Sequence, residues 1–519
     1  MPTYTQDTRP FRLQTPLGKD VLLCTSWSCT ESVSSLFELR IAAQSERGDI
    51  KPNELLLKTV SLHCKPDGGH ERWFTGIVRH VERPAASDSR LTDYVLHVVP
   101  PAWLLALGTG YQVHQDQDLK ALLAEVLTGM PAKWELQGTF HPAPSRTRYN
   151  ESRWAFANRL FEREGIWFTF THTASACTAL ITNTMASAVA QNGVTELRDT
   201  GWEMNARLVS FSTRQEPFIK KVVVGTSQQA LFGKENREEA MATAFPASPG
   251  DWPLDPASFP AAFETQLYEY VTGGSFDAAN KGGGETASEL SKIVEALRDQ
   301  AKLHAQSETA SSSRLIGSST ATGLCAGAKV AIKCAGQSDA NGQYFVTSVQ
   351  HRGDNGSYVG GDGSASTYTN EFACIPHSVV YRPPRVTPWP AVQGMHVATV
   401  VGPRGEEIFT DKFGRVRVIF EWNRDAVAPN GPGDACWVRV AQLTAGPGWG
   451  SFFLPRVGHQ VLVSFLGGDP DQPVVVGSLY NDVNMPQIKL PDDKTQTAMR
   501  TRSSPKGTAD MYNELRFED

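Results

Sequence analysis

Glu162 and Glu164 stand two residues apart beside Arg159 and Arg163, and a pair of carboxylates cleaves glycosides when both face one cleft. On a helix that spacing turns the two groups to different sides, so surface ion pairing is the expectation. His80 and His351 fall at matching places in two similar segments, which predicts shared packing rather than shared acid–base chemistry. Eight cysteines, Cys24, Cys29, Cys64, Cys177, Cys325, Cys334, Cys374 and Cys436, include no Cys-x-x-Cys pair. They are too sparse for a disulfide scaffold and read as small buried hydrophobes in a reducing cytosol. Gly446-Pro447-Gly448-Trp449-Gly450 is glycine-rich but does not join a strand to a helix as a phosphate-binding loop must, so a tight turn is expected. His-Glu-x-x-His, Gly-x-Ser-x-Gly and Gly-x-x-x-x-Gly-Lys motifs are absent. No catalytic, cofactor-binding or metal-binding residue is assigned, and a protein without enzymatic activity is expected.

The elements that would position any site are mostly strands. At 519 residues and 56.7 kDa the chain has room for about three to four domains. Its net charge of −6, from 49 basic and 55 acidic residues without a basic run, disfavours nucleic acid as a partner. The first fifteen residues hold no apolar signal core, and no apolar run reaches the roughly 18 residues a membrane span needs. Val21–Leu23, Phe37–Ile41, Val60–Cys64 and Trp73–Val78 read as strands separated by turns. Asp118 is placed to cap a helix carrying Leu119, Leu122, Leu123 and Val126 on one face, and Tyr149–Gly165 reads as a second helix ending at its glycine.

A duplication is also legible. Val60-Ser61-Leu62-His63-Cys64, then Trp73-Phe74-Thr75 through His80, then a strand ending at Pro100, are echoed later. The echoes are Val330-Ala331-Ile332-Lys333-Cys334, Tyr344-Phe345-Val346 through His351, and a strand ending at Pro376. Between them, Glu285 to Ser313 carries Leu290, Ile293, Val294, Leu297, Ala301 and His304 at helical spacing. The proline-rich run from Pro376 to Pro390 marks a boundary. Beyond it, Phe413–Trp422 alternates, with Val416, Val418, Phe420 and Trp422 on one side of a strand and Arg415, Arg417 and Glu421 on the other. Cys436–Val440, Ser451–Leu454, Gln460–Phe465 and Val474–Val476 complete the strand count of a small OB-type barrel.

These motifs resemble the VgrG spike family of type VI secretion systems. The likeness is carried by Tyr149-Asn150-Glu151 through Arg159-Leu160-Phe161-Glu162-Arg163-Glu164-Gly165-Ile166-Trp167-Phe168 and by Asp411–Val418 with Phe420 and Trp422. Trp437–Val440, Gly446–Gly450, Pro455–Gly458, Phe465–Asp471 with Pro473, Gly477–Asn481 and the terminal Asn513–Asp519 extend it, while Arg148 stands where the family tends to have Gln. The resemblance implies a mainly β protein with some helices. It implies a first hub-type β-barrel at 1–110, a helical and connecting subdomain at 111–175, and a related second hub barrel with a helical insertion at 176–385. An OB-fold module at 386–482 and a linker at 483–519 beginning a β-helical needle, most of which is lacking, would follow. The implied role is a homotrimeric structural spike without cofactors that caps the Hcp tube hexamer and helps puncture a target membrane, touched only transiently. Its implied partners are a PAAR-type tip, baseplate proteins and effector or adaptor proteins. It would assemble in the bacterial cytoplasm and be secreted by the type VI system without a signal peptide. Two alternatives share the fold: a spike fused to a hydrolytic effector domain in its full-length form, and the hub of a phage-like contractile particle.

Overall fold

Runs of Val, Leu, Phe and Thr whose burial alternates favour pleated strands over helices, and strands are the commonest regular element among the described residues. The computed structural model describes residues 4–66, 68–85, 90–115, 117–141, 143, 145–190, 192–200, 207–215, 219, 221–226, 237–241, 266–271, 287–336, 340–358, 366–424 and 435–519. The first part supplies β1 (Phe11–Gln14), β2 (Leu23–Ser32), β3 (Glu38–Ser45), β4 (Thr59–Cys64), β5 (Arg72–Glu82) and β6 (Thr92–Val99), with a one-turn helix α1 (Pro52–Leu55) before β4. Across the sheet their order is β1-β4-β5-β6-β3-β2. The later part supplies β12 (Glu196–Arg198), β13 (Leu208–Gln215), β17 (Ser313–Ser319), β18 (Lys329–Lys333), β19 (Gly342–Asp354) and β20 (Thr367–Pro376). These pair in the order β12-β18-β19-β20-β17-β13, the same arrangement built a second time. Only the sense of the outermost pair differs, antiparallel for β1 with β4 and parallel for β12 with β18.

Irregularities repeat as well. A bulge interrupts β2 against β3 between Cys24 and Ser26, and another interrupts β13 against β17 between Leu208 and Ser210. The ladder of β5 with β6 shifts between Val78 and His80, and that of β19 with β20 between Val346 and Ser348. The duplication read from the sequence therefore holds, but its register corrects one equivalence: His80 answers to Ser348, not to His351. His351 is fully buried, whereas the His80 side chain is 55% exposed. The two halves are joined where β2 pairs antiparallel with the far end of β19, from Ser32↔Ser348 to Ser26↔Asp354, so all twelve strands form one sheet.

The connecting region holds β7 (Gly110–Gln115) paired with β9 (Ser145–Glu151), and β8 (Ala132–Glu135) beside β11 (Cys177–Thr182) and β10 (Trp167–His172). Helix α2 (Leu119–Val126) starts as expected, the Asp118 carboxylate accepting from the Lys120 and Ala121 N–H groups. Helix α3 (Arg153–Arg163) is shorter than expected, because Tyr149–Glu151 belongs to β9 and Ser152 caps the helix by accepting from the Ala155 N–H. Gly165 follows at φ 64, the left-handed conformation a glycine adopts without a Cβ penalty. Helix α4 (Ala287–Ser312) packs Ile293, Leu297 and Ala301 against Val222 and Val224 of a small sheet made of β14 (Lys221–Thr226), β15 (Arg237–Met241) and β16 (Gln266–Val271). Glu285, where that helix was expected to begin, lies outside the described residues.

After the proline-rich run, β21 (His396–Val401), β22 (Val416–Phe420), β23 (Cys436–Val440), β26 (Gln460–Phe465) and β27 (Pro473–Leu479) close into a barrel ordered β21-β22-β23-β27-β26. The expected strand at Ser451–Leu454 is irregular, and β21 takes its place in the barrel. Gly446–Gly450 is a tight hairpin of β24 (Ala445–Gly446) and β25 (Trp449–Gly450), with Gly448 at φ 80. A last hairpin pairs β28 (Gln496–Arg500) with β29 (Glu514–Glu518). All eight cysteines are free thiols; seven are buried and Cys334 is half-buried. Among the described residues no helix is long and apolar enough to cross a membrane.

Candidate functional site

Segments hundreds of residues apart meet where the closed barrel and its proline-rich linker contact β7, β9 and α3 of the connecting region. Strand β9 brings Thr147 and Tyr149, α3 brings Arg159, Glu162 and Arg163, the proline-rich run brings Thr387 and Trp389, and the barrel brings His396, Trp422, Asp469 and Asp471. The Thr147 N–H donates to Asp471 Oδ1 at 2.6 Å, and the Asp471 N–H donates to Asp469 Oδ1 at 3.0 Å. Tyr149 Oη lies 3.0 Å from His396 Nε2, and the Tyr149 and Tyr111 rings pack against Trp422 at 6.0 and 5.4 Å. Trp422 follows β22 rather than lying in it, and stacks on Phe420 at 4.8 Å. That ring thus ties the barrel core to the hub.

Arg159 is 2% exposed; it donates to Glu151 Oε1 at 2.8 Å and to the Thr147 carbonyl at 2.9 Å, and its guanidinium covers Trp389 at 4.1 Å. Arg163 covers the same indole at 5.2 Å. Glu162, expected on the surface, is buried: its Oε2 accepts from the Thr387 N–H at 2.9 Å, and its Oε1 accepts from the Thr387 hydroxyl at 2.7 Å and from Asn158 at 2.9 Å. Burial pushes its pKa upward against those donors. Two of the three groups that donate to Glu162 belong to Thr387, so this carboxylate fastens the proline-rich linker to α3. The surface reading fails because a buried carboxylate needs only satisfied oxygens, and the partner that satisfies them lies more than two hundred positions away in sequence.

Asp471 is pushed up to about 7, first by burial and second by the neighbouring Asp469 charge, with Arg159 opposing. A carboxyl whose folded pKa is raised takes up a proton on folding in the window between its unfolded and folded values, so its contribution grows as pH falls through 7 toward the ordinary aspartate value. Asp471→Asn keeps an oxygen for the Thr147 N–H and removes the titration. Its stability relative to the native chain is expected to drop by up to about 1.4 kcal/mol per pH unit on going from about pH 8 to about pH 5. Urea unfolding of both chains across that range checks it, and a flat difference would show that Asp471 keeps its ordinary pKa.

A second buried network crosses the junction of the two halves. Arg72 Nη2 reaches both carboxylate oxygens of Glu31 at 2.8 and 2.7 Å, Nη1 donates to the Leu324 carbonyl, and Glu31 Oε1 lies 3.1 Å from His351 Nε2. His351 Nδ1 lies 2.6 Å from Tyr368 Oη. Burial alone would raise Glu31, but the Arg72 and His351 charges and hydrogen bonds outweigh it and hold Glu31 at about 2, while burial holds His351 down at about 4.

Apolar surface concentrates toward the far end of the chain. In the last hairpin Thr497 faces Phe517 and Met499 faces Leu515, so one face is apolar; Arg500, Glu514 and Arg516 make ion pairs on the other. Leu515 and Phe517 are 58% and 56% exposed. An isolated two-stranded hairpin is marginal in water, and a contiguous exposed apolar face is more than a monomer's surface usually carries. Glu407, in the loop between β21 and β22, accepts from the Lys506 N–H at 2.6 Å and the Ser504 hydroxyl at 3.0 Å, which pins the turn of the last hairpin to the barrel. Among the described residues no group of three or more His, Cys, Asp or Glu side chains is arranged to hold a metal. Sequence reasoning missed Thr147, Thr387, His396 and the acceptor roles of Asp469 and Asp471, since a lone Thr or Asp carries no signal until its distant partner is in place.

Comparison with known proteins agrees with this geometry. Residues 30–357, well over half the chain, match the family described as phage tail baseplate hub (GPD), and residues 408–480 match the type VI secretion system/phage-baseplate injector OB domain. The chain is 28% identical to the type VI secretion system spike protein VgrG1a of Pseudomonas aeruginosa, over 99% of this chain and 76% of that protein. It is 27% identical to VgrG1b of the same organism, over 99% of this chain but only 66% of that protein. Among solved structures, an E. coli component of the type VI secretion system with structural similarity to the T4 bacteriophage tail proteins gp27 and gp5 shares the fold. The TM-score is 0.59 at 16% identity, covering 90% of this chain and 100% of that one.

Proposed function

The chain belongs to the phage tail baseplate hub family, and from that premise we propose that it is the spike of a type VI secretion system, a homotrimer that caps the tube of Hcp hexamers, helps puncture the target membrane and carries effectors. The observation that carries this reading is the repeated six-strand order in one chain. Three chains present six like units to a sixfold ring, so the two symmetries match without a gap. The exposed apolar face of the last hairpin supports the same assembly, since copies around a threefold axis would cover it. Mechanical work would come from contraction of a surrounding sheath, and this chain would supply shape and stiffness, the buried joint transmitting thrust from barrel to hub. A PAAR-type tip, baseplate proteins and effector or adaptor proteins are the further partners of this reading. Light scattering is expected to give about three times 56.7 kDa, and the purified chain is expected to co-sediment with Hcp tubes. A monomer at every concentration that also ignores Hcp would sink the proposal. The hub match equally suits a phage-like contractile particle, which predicts the trimer but no Hcp binding.

A further inference from the structure

We propose, resting on the trimeric reading, that neighbouring copies of the chain join strand to strand by repeating the junction that already unites the two halves of one chain: Thr213–Gln215 of β13 in one copy lie antiparallel to Val81–Arg83 of the next. The template is intramolecular. The outer edge of β2 pairs with Ser348–Asp354, the part of β19 that lies beyond its bulge and beyond the reach of β18. By register, Cys24, Ser26 and Trp27 of β2 answer to Leu208, Ser210 and Phe211 of β13, each set straddling its own bulge against the next strand. By the same reasoning Ile77, Val78 and His80 of β5 answer to Phe345, Val346 and Ser348 of β19.

Each half thus owns one donor edge and one acceptor edge, and a single chain uses one of each. The donor β2 and the acceptor end of β19 are engaged with each other. Among the described residues, β13 pairs only with β17 and ends the path of the sheet. β4 leaves β5 at Ile77, the turn before β4 reaches only Val78, and no described strand follows on that edge. Arg79, His80, Glu82, Ser212 and Arg214 are exposed. An exposed strand edge is a template for another strand. A donor edge on one half of the sheet and an acceptor edge on the other make a head-to-tail contact that closes into a ring when the rotation allows it.

Carrying the template register across sets residues face to face. Val349 opposes Glu31 and Gln350 opposes Thr30 within the chain, so Val81 opposes Gln215 and Glu82 opposes Arg214 between chains. The last pair brings opposite charges together at a position where like charges would repel.

The test is a double variant of the full chain, Glu82→Cys with Arg214→Cys, treated with the short cross-linker bismaleimidoethane and run on a denaturing gel, with light scattering on the same samples. A covalent ladder ending at the trimer is expected from the double variant. Neither single variant should give it, nor should Glu82→Cys combined with Val209→Cys, which is out of register. A trimer by light scattering without the ladder overturns this junction and leaves the trimeric reading standing. Monomers throughout overturn both. As an independent measurement, Glu82→Arg is expected to weaken trimer formation several-fold and added Arg214→Glu to restore it; equal weakening by the single and double reversals would also overturn the register.

Discussion

Replacing Arg72 by alanine is expected to destabilise the hub by about 3–5 kcal/mol, the cost of leaving a buried charge without its partner. The Arg72 side chain is 2% exposed and that of Glu31 7% exposed, so neither charge is screened by solvent. In the variant the Glu31 carboxylate keeps only the Ala326 N–H at 3.2 Å and His351 at 3.1 Å, and the Leu324 carbonyl loses its donor. The guanidinium also covers the Phe74 ring at 4.2 Å, so packing is lost with the charge. Because Glu31 lies on β2 opposite Val349 of β19, the damage falls on the strand pair that unites the two halves. Urea unfolding should show one earlier transition for both halves. The pH dependence should shift as well. Glu31, held at about 2, contributes stability above its unfolded value of 4.5 that is lost as pH falls through 2. His351, held at about 4, adds a loss as pH falls from its unfolded 6.5, because the unfolded chain takes the proton first. Without Arg72 the folded pKa of Glu31 should rise toward its unfolded 4.5, so the stability lost between pH 4.5 and pH 2 should shrink. A change below about 1 kcal/mol would mean the pair is nearly neutral against its desolvation cost.

How far the sequence carried depended on whether the partner of a residue was near. Asp118, Gly165 and the Val416-Val418-Phe420 alternation are local signals, and the structure places each as read. The duplication was visible because Val60 and Val330 begin similar strands, but aligning Trp73 with Tyr344 by residue type slipped the register. Tyr344 is buried and opposes Pro376, whereas the residue that occupies its place in the first half is Gly76. A slip by an odd number of residues turns a strand over, which is why His80 and His351 face such different surroundings. His396–Val401 went unread because it follows a proline-rich run, while Ser451–Leu454 looked apolar enough for a strand yet follows Gly450, at φ 131, and leaves Phe452 66% exposed. The joint was illegible for a different reason: a carboxylate such as Glu162 is expected in water unless something fixes it, and what fixes it lies at Thr387.

Val418→Asp should remove the barrel while sparing the hub. Val418 has no exposed surface, sits between Val400 of β21 and Cys436 of β23, and points into a core of Val416, Phe420, Val438, Val461 and Val463. No donor in that core can satisfy a carboxylate, and an unpaired buried charge costs several kcal/mol, of the order of the whole stability of a domain this small. The hub has separate cores in each half, so its own transition should persist, less the support of the Thr147–Asp471 and Tyr149–His396 contacts. Limited proteolysis should then digest the chain beyond the proline-rich run and leave a resistant hub fragment. The neighbouring Ile419→Asp is the control, since Ile419 points outward and is half-buried, and a polar group there should cost about 1 kcal/mol or less. Equal damage from both substitutions would contradict the inward–outward alternation of β22. An intact barrel in Val418→Asp would contradict its place in the core, and with it the closed-barrel support on which the final hairpin stands.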